Sequence, residues 1–431
     1  MGDNRDDRGG SPDEPAPPAR EQPGGAEPPL APSPRSLRGL DWFIFFVADV
    51  QTGFGPFVSV FLTTQKWTQI DIGFVLSAAG LVSLICQMPG GAVVDAARSE
   101  RFVAGIAIMA ICASALAYAA HPAIAVVLPA AILQAMASCV LGPAIAAISL
   151  GLVGHAAISE RLGRNARFAS VGNGVAAAAM GACGYFISAR AVFIVTVLLL
   201  GPALIALRTI APSEIDPERA HGAPPRLVVQ RHRHKWSELL YNRPLLIFAG
   251  CLLLFHLANA AMLPLIGSVV TMRSARWATI LIAICIVVPQ LLVATLSPWV
   301  GRRAQSWGRR PLLVIGFAAL PLRGLLFASV TNPHLLVAVQ LLDGVTAAVL
   351  SVMVPLVVAD LTRGTGHFNL GLGLVGTFTG IGASVSATFA GFMTDRFGSP
   401  AAFAGLAVIA LFGLAAVWFL MPETRDAAAA D

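Results

Sequence analysis

The chain has 431 residues, 56% of them hydrophobic and only 12% charged, with a mean hydropathy of +0.74 and a net charge of +6. Such a composition argues against a water-soluble globule and places most of the chain in lipid. The positive balance is accounted for by membrane topology and calls for no nucleic-acid partner.

Residues 1–37, rich in Pro, Gly, Asp, Glu and Arg, have no apolar run and no small-residue cleavage site. They read as a disordered cytoplasmic tail rather than a signal peptide. Apolar blocks follow near 41–63, 71–95, 102–120, 123–150, 167–188 and 190–210, and again near 244–271, 277–300, 311–331, 333–360, 368–393 and 399–421. Each is close to the roughly 20 residues that cross ~30 Å of hydrocarbon as a helix. They are apolar on every face, whereas barrel strands alternate. The expected fold is therefore an all-α integral membrane protein with twelve transmembrane helices in two six-helix bundles, 38–210 and 244–421. A cytoplasmic linker, 211–243, joins them, and a cytoplasmic tail, 422–431, follows. Thr68 and Asp71 have the spacing of a capping box ahead of the second span.

Lys66, Arg190, Arg273, Arg276 and Arg396 are the only basic residues expected on one side, and Arg323 falls within a span. The rest of the 29 share the other side with both termini, which makes that side cytoplasmic. Basic residues are almost all Arg, with Lys66 and Lys235 the exceptions, a usage typical of a GC-rich bacterial genome and so of a bacterial inner membrane. In the linker, Arg231–Lys235 followed by Trp236 reads as a solvated stretch or one that lies on anionic head groups. His232 and His234 lack the Cys or carboxylate cluster of a metal site. The six cysteines all fall within spans and read as small packing residues. No GxxxxGK[ST] loop occurs, so neither nucleotide nor other cofactor is expected.

Internal matches link the two sets of spans. Pro56 and Pro264 lie 208 apart, Gln134 and Gln340 206, Gly91 and Gly301 210, and Glu160, Arg167 and Phe168 stand 200 from Asp360, His367 and Phe368. A duplicated six-span unit is the sequence pattern of a transporter core. The loops after the second and eighth spans strengthen it. The first carries Gly91, Asp95, Arg98 and Arg101, and the second Gly301, Gly308, Arg309 and Arg310, with Gln305 in place of the acid. From 40 to 421 the chain resembles a transporter of the major facilitator superfamily, whose corresponding loop motif runs Gly, three residues, Asp, two residues, Gly and two basic residues. The resemblance implies alternating access around a central cavity lined by spans 1, 4, 7 and 10.

In that setting Asp95 reads as a latch: it can pair with Arg98 or Arg101 while facing the positive N-terminus of span 11 near Phe368. Arg302 and Arg303 read as topology determinants. Glu160 with Arg167, Asp360 with His367, and Pro422, Glu423 and Thr424 resemble the cytoplasmic charge network of sugar-porter members. Gly172 and Gly181, and likewise Gly371 and Gly380, resemble the start of an antiporter motif on span 5, which favours export.

Ionisable groups inside hydrocarbon point to function. Asp49, His256 and Asp343 are candidates for proton coupling. Gln51, Gln134, Asn259 and Gln340 are candidates for substrate contact. Five have a structural alternative: Asp49, His256 and the two matched glutamines as interhelical hydrogen-bonding groups, and Asp343 as the ion-pair partner of Arg323. The expected activity is proton-coupled secondary efflux of a small molecule by a monomer in the bilayer. The alternatives are a proton-symporting uptake carrier, an integral-membrane enzyme and a non-transporting receptor.

Overall fold

The computed structural model describes residues 32–52, 58, 61, 62, 64–188, 190–222, 236–266, 275–330 and 332–425. Its helices are α1 (Pro34–Thr52), α2 (Gln69–Ala96), α3 (Glu100–Ala120), α4 (Ile124–Phe186), α5 (Ala191–Thr209), the short α6 (Pro217–Ala220), α7 (Arg243–Asn259), α8 (Ala275–Trp307), α9 (Arg309–Ser329), α10 (Pro333–Leu361), α11 (Phe368–Phe397) and α12 (Ser399–Leu420).

Local chemistry sets many of the boundaries. The Thr68 hydroxyl accepts from the Asp71 amide at 3.1 Å, the expected cap of α2. Asn242 caps α7 through the Leu245 amide at 3.1 Å. Gly308 (φ 91°) separates α8 from α9, and Gly398 (φ 84°) separates α11 from α12. Both occupy backbone conformations open chiefly to glycine.

α4 departs from expectation. Its 63 residues would run about 95 Å at 1.5 Å per residue, several times the hydrocarbon thickness, so it is two crossings. Gly154, with φ 67° and ψ 176°, makes the break. The polar stretch 151–166, expected as a loop between spans, is helical apart from this one residue. Its Arg and Asn side chains find partners inside the protein, so the stretch does not need the solvent exposure its composition suggested.

Among the described residues, nine helices are long and apolar enough to cross a bilayer. Counting α4 twice and adding α1 and α8 gives the twelve-helix, two-bundle fold. Leu198, Ile205, Phe412 and Phe419 are exposed on its outside, where lipid and not water is the fitting solvent. One hydrophobic cluster draws on residues 40–220. The other draws on 239–421 together with Ala146, Leu150, Ile158, Leu162 and Ala166 of α4. Each half therefore has its own core, and α4 extends into both.

Two boundaries need correction. Residues 34–37, expected in the disordered tail, form the first turn of α1, while 1–31 lie outside the described residues. α7 stops at Asn259, and turn residues Ala260 and Ala261 precede a further helical turn at 262–266. Pro56, His232, His234 and the Arg231–Lys235 run lie outside the described residues.

Candidate functional site

Between the halves lies a cavity of about 350 Å³ lined by α1, α2, both parts of α4, α10 and α11. Its wall is largely aliphatic, with Gln87, Asn165 and Ser351 as the polar members. Sequence reading missed all three, although Gln87 is a polar residue within an apolar span, the signal used for Gln134. Ala48 of α1 lines this cavity. Asp49 follows it on the helix, but the side chains of Asp49 and Gln51 lie outside the described residues.

One end of the seam between the halves is shut by backbone contact. Gly91 of α2 lies against the backbone of Asn369 and Leu370, and Gly373 of α11 against that of Gln87 and Met88. On the other side, Gly301 of α8 lies against the Ser159 carbonyl, and Gly163 of α4 against Ser297 and Pro298. A Cβ at any of the four positions would overlap a facing carbonyl, so glycine is what lets these helices touch. Gly91 and Gly301, Ser159 and Asn369, Gly163 and Gly373, and Gln87 and Ser297 are each 210 apart. The two junctions are thus duplicates. The 200-residue match of Glu160, Arg167 and Phe168 to Asp360, His367 and Phe368 does not survive: Glu160 lies in the second part of α4, whereas Asp360 ends α10.

The side chains at the junctions differ. Asp95 Oδ1 accepts from the Asn369 amide at 3.1 Å and from Asn369 Nδ2 at 2.8 Å, and Oδ2 accepts from the Leu370 amide at 2.8 Å. A carboxylate on the first-turn amides of α11 meets both unpaired donors and the positive end of the helix dipole. Neither Arg98, which is exposed, nor Arg101 forms an ion pair with Asp95 among the described residues. The expected Arg partner is replaced by Asn369, because the amides of α11 already satisfy the carboxylate. At the matching position, Gln305 Nε2 donates to the Ala156 carbonyl at 2.9 Å. Ser170 also donates to Gln290 Oε1 at 2.8 Å, from α4 to α8.

A strap from the linker reinforces the same end. The Gly222 carbonyl accepts from the Gly364 amide at 2.7 Å and the His221 carbonyl from the Phe368 amide at 3.2 Å. His221 Nε2 stands 3.1 Å from Glu100 Oε1, at ion-pair distance but misaligned for a hydrogen bond. Burial pulls the His221 pKa down, but the Glu100 carboxylate and the charge of Asp95 outweigh it and hold the ring above its ordinary 6.5. The stabilisation from this pair is therefore fully present below pH 6.5 and lost as the pH rises through the raised value. Thermal stability in detergent is expected to decline over that rise and to lose this component in His221→Gln. A pH dependence identical in the variant would refute the assignment.

Each half also has its own charge cluster. In the first, Asp41 on α1 is buried and accepts from Arg161 Nη2 at 2.6 Å and Arg164 Nη2 at 2.5 Å. Arg161 Nε donates to Asn165 Oδ1 at 2.6 Å, and Asn165 Nδ2 donates to the Ser149 hydroxyl at 2.7 Å. This network ties α1 to α4 and was missed; the signal was the i, i+3, i+4 spacing of Arg161, Arg164 and Asn165, invisible while 151–166 read as a loop. In the second half, Arg309 Nε donates to Asp360 Oδ2 at 2.8 Å, and Thr424 Oγ1 to the same oxygen at 3.2 Å. Glu423 accepts from the Arg309 and Arg310 amides at 2.8 and 3.0 Å, capping α9. Gly308, at φ 91°, occupies a conformation that side chains rarely adopt, and a Cβ there would lie 2.5 Å from Glu423 Oε2 and displace this cap. Glu160 and Arg167 belong to neither cluster; both are exposed.

Deeper in the second half, Arg323 is buried and pairs with Asp343, while its Nη2 donates to Asn259 Oδ1 at 2.7 Å. Gln340, also buried, donates to Asp343 Oδ2 at 3.3 Å. Asn259 and Gln340 thus each hydrogen-bond to one member of the ion pair. His256 and Gln134 are half-buried, and neither makes a side-chain hydrogen bond among the described residues.

A family model described as Major Facilitator Superfamily matches residues 41–320 and 254–431. Two Mycobacterium tuberculosis proteins, from strains CDC 1551 / Oshkosh and H37Rv and each named an uncharacterized MFS-type transporter, are 40% identical to this chain over 404 residues. Those matches cover 92% of this chain and 96% of each relative. The fold is similar to that of the proton:xylose symporter XylE bound to 6-bromo-6-deoxy-D-glucose, with a TM-score of 0.68, 14% identity, and 91% of this chain and 96% of that one covered. It is similar as well to the human organic anion transporter MFSD10, with a TM-score of 0.65, 15% identity, and 89% and 100% covered. With its twelve helices in two bundles around a cavity, the chain belongs to the Major Facilitator Superfamily and is a multi-pass secondary transporter.

Proposed function

We propose that this chain is a proton-coupled exporter of a small, largely apolar solute, acting as a monomer in a bacterial inner membrane with both termini in the cytoplasm. The observation that carries the reading is the cavity between the halves: its aliphatic wall with Gln87, Asn165 and Ser351 suits an amphiphilic molecule better than a polyhydroxylated one. In this reading the Lys and Arg asymmetry puts the shut end on the cytoplasmic side. Asp49, which follows the cavity-lining Ala48 on α1, is the proton carrier in this scheme, as an ionisable residue within a span.

The test is sided transport in proteoliposomes over a panel of amphiphilic compounds with an imposed pH gradient. Substrate movement opposite to protons is expected, and loss of gradient-driven flux in Asp49→Asn with folded protein retained. Full flux in that variant would remove Asp49 from the coupling, and co-directional movement would favour the uptake alternative.

A further inference from the structure

A second cavity, of about 540 Å³, opens at the shut end of the seam where α1, the second part of α4 and α8 meet. Three guanidiniums line it, Arg164 and Arg167 from the first half and Arg302 from the second, against the single carboxylate of Glu160. Beneath them Asp41 is already shared by Arg161 and Arg164, so the region keeps an excess of positive charge. Arg164 is held in place: Nε and Nη2 contact Asp41 at 2.9 and 2.5 Å, and the guanidinium sits 5.8 Å from the centre of the Phe168 ring. Its Nη1 has no hydrogen-bond partner among the described residues, and the exposed Arg167 and Arg302 form no ion pair among them. Three arginines lining one open cavity suit a phosphate, whose oxygens accept from guanidinium donors.

The cavity's depth identifies the source of the phosphate. Along α1, Arg35 and Arg38 precede Trp42, which is half exposed, and the apolar run begins at Phe43. Along α8, Trp299 precedes Arg302, Arg303 and Trp307. Both helices present the aromatic and basic residues typical of the boundary between head groups and hydrocarbon. Val171, exposed and on the cavity wall, continues the site toward the lipid-facing surface with an apolar side chain.

We propose that this cavity binds the phosphate of an anionic phospholipid from the adjoining leaflet. Because Arg167 and Arg302 belong to opposite halves, with Gly163 packed on Ser297 and Pro298 at the same junction, the lipid bridges the seam and favours the shut end. The binding rests on placement in a bilayer and not on the direction or coupling of transport.

Native mass spectrometry of the purified full-length chain, titrated with phosphatidylglycerol, phosphatidylcholine or inorganic phosphate, tests it. Phosphatidylglycerol should be retained in preference to phosphatidylcholine. Arg167→Gln combined with Arg302→Gln should weaken its apparent affinity roughly tenfold or more, taking each arginine to contribute about a fewfold at the membrane surface. Arg303→Gln serves as the control; Arg303 is exposed and stacked on Trp307, outside the cavity, and its substitution should leave the affinity unchanged. Equal weakening by Arg303→Gln would mean diffuse surface attraction and overturn the site. Displacement of the lipid by inorganic phosphate at matched concentration would overturn the lipid as its ligand. Should the double variant fail to fold, Arg302→Gln alone must still weaken binding more than Arg303→Gln does.

Discussion

Asp95→Asn is expected to weaken closure of the glycine-lined end far more than Gln305→Ala, its counterpart in the duplicated junction. The Asp95 carboxylate takes two backbone amides and the Asn369 amide group at the start of α11. The substitution removes the charge from the helix N-terminus and sets an NH₂ donor against an N–H donor. With charge-assisted hydrogen bonds contributing about 1.5–3 kcal/mol each, and part of that recovered by water on opening, the closed state should lose on the order of 2–3 kcal/mol. That corresponds to about 30- to 150-fold in the ratio of closed to open. Gln305 makes one neutral bond to Ala156 at an exposed site, and its loss should cost about 0.5 kcal/mol. Spin-label distances across the α2–α11 and α4–α8 junctions measure both. Equal shifts would show that the acid is incidental and that glycine packing alone holds the end shut.

Asp343→Ala should destabilise the fold more than Arg323→Ala does, although both break the same ion pair. The Arg323 side chain is 2% exposed and that of Asp343 26%, and a guanidinium cannot shed its proton. Removing Asp343 therefore strands a buried charge that keeps Asn259 as its one acceptor among the described residues, a loss of about 3–5 kcal/mol. Removing Arg323 leaves a carboxylate that is only partly buried and keeps Gln340 as a donor, at a cost of about 1–2 kcal/mol. Replacing both with Leu should recover much of the larger loss, as apolar substitutes for buried ion pairs do. Thermal unfolding in detergent ranks the variants, and the reverse order would refute the reasoning. If the double variant still transports, the pair is structural; if it folds but transports nothing, Asp343 belongs to the coupling machinery.

What could be read from the chain tracks the range of the interaction involved. The Thr68–Asp71 cap is local, so four residues sufficed to predict it. The spans ending in α10, α11 and α12 were placed to within a few residues because hydropathy adds residue by residue. Asp95 could be placed near the start of α11 because the family resemblance put its loop there, yet its partner, Asn369, could not be foreseen. The Asp41–Arg161–Arg164 network was hidden because a polar stretch in an apolar chain resembles a loop until its partners are known. The duplication was legible, and of its suggested offsets the 210 of Gly91 and Gly301 is the one the two junctions repeat, while the 200 of Glu160 and Asp360 is not. Scattered polar matches suggested values from 200 to 210, and the value of 210 emerged where glycine meets backbone.

The sequence by itself determined the solvent, the number of spans and the duplication, since transfer of apolar side chains into lipid is a sum over residues that needs no knowledge of neighbours. Tertiary structure decided the pairing of charges and the state of the seam. A buried carboxylate or guanidinium is tolerable only where packing brings it a partner, and those partners come from other helices, 20 to 275 residues away. The two junctions accordingly share their glycines but differ in their charges. Close backbone approach is a geometric demand that duplication preserved, whereas each half satisfied its buried charges with the partners its own packing supplied.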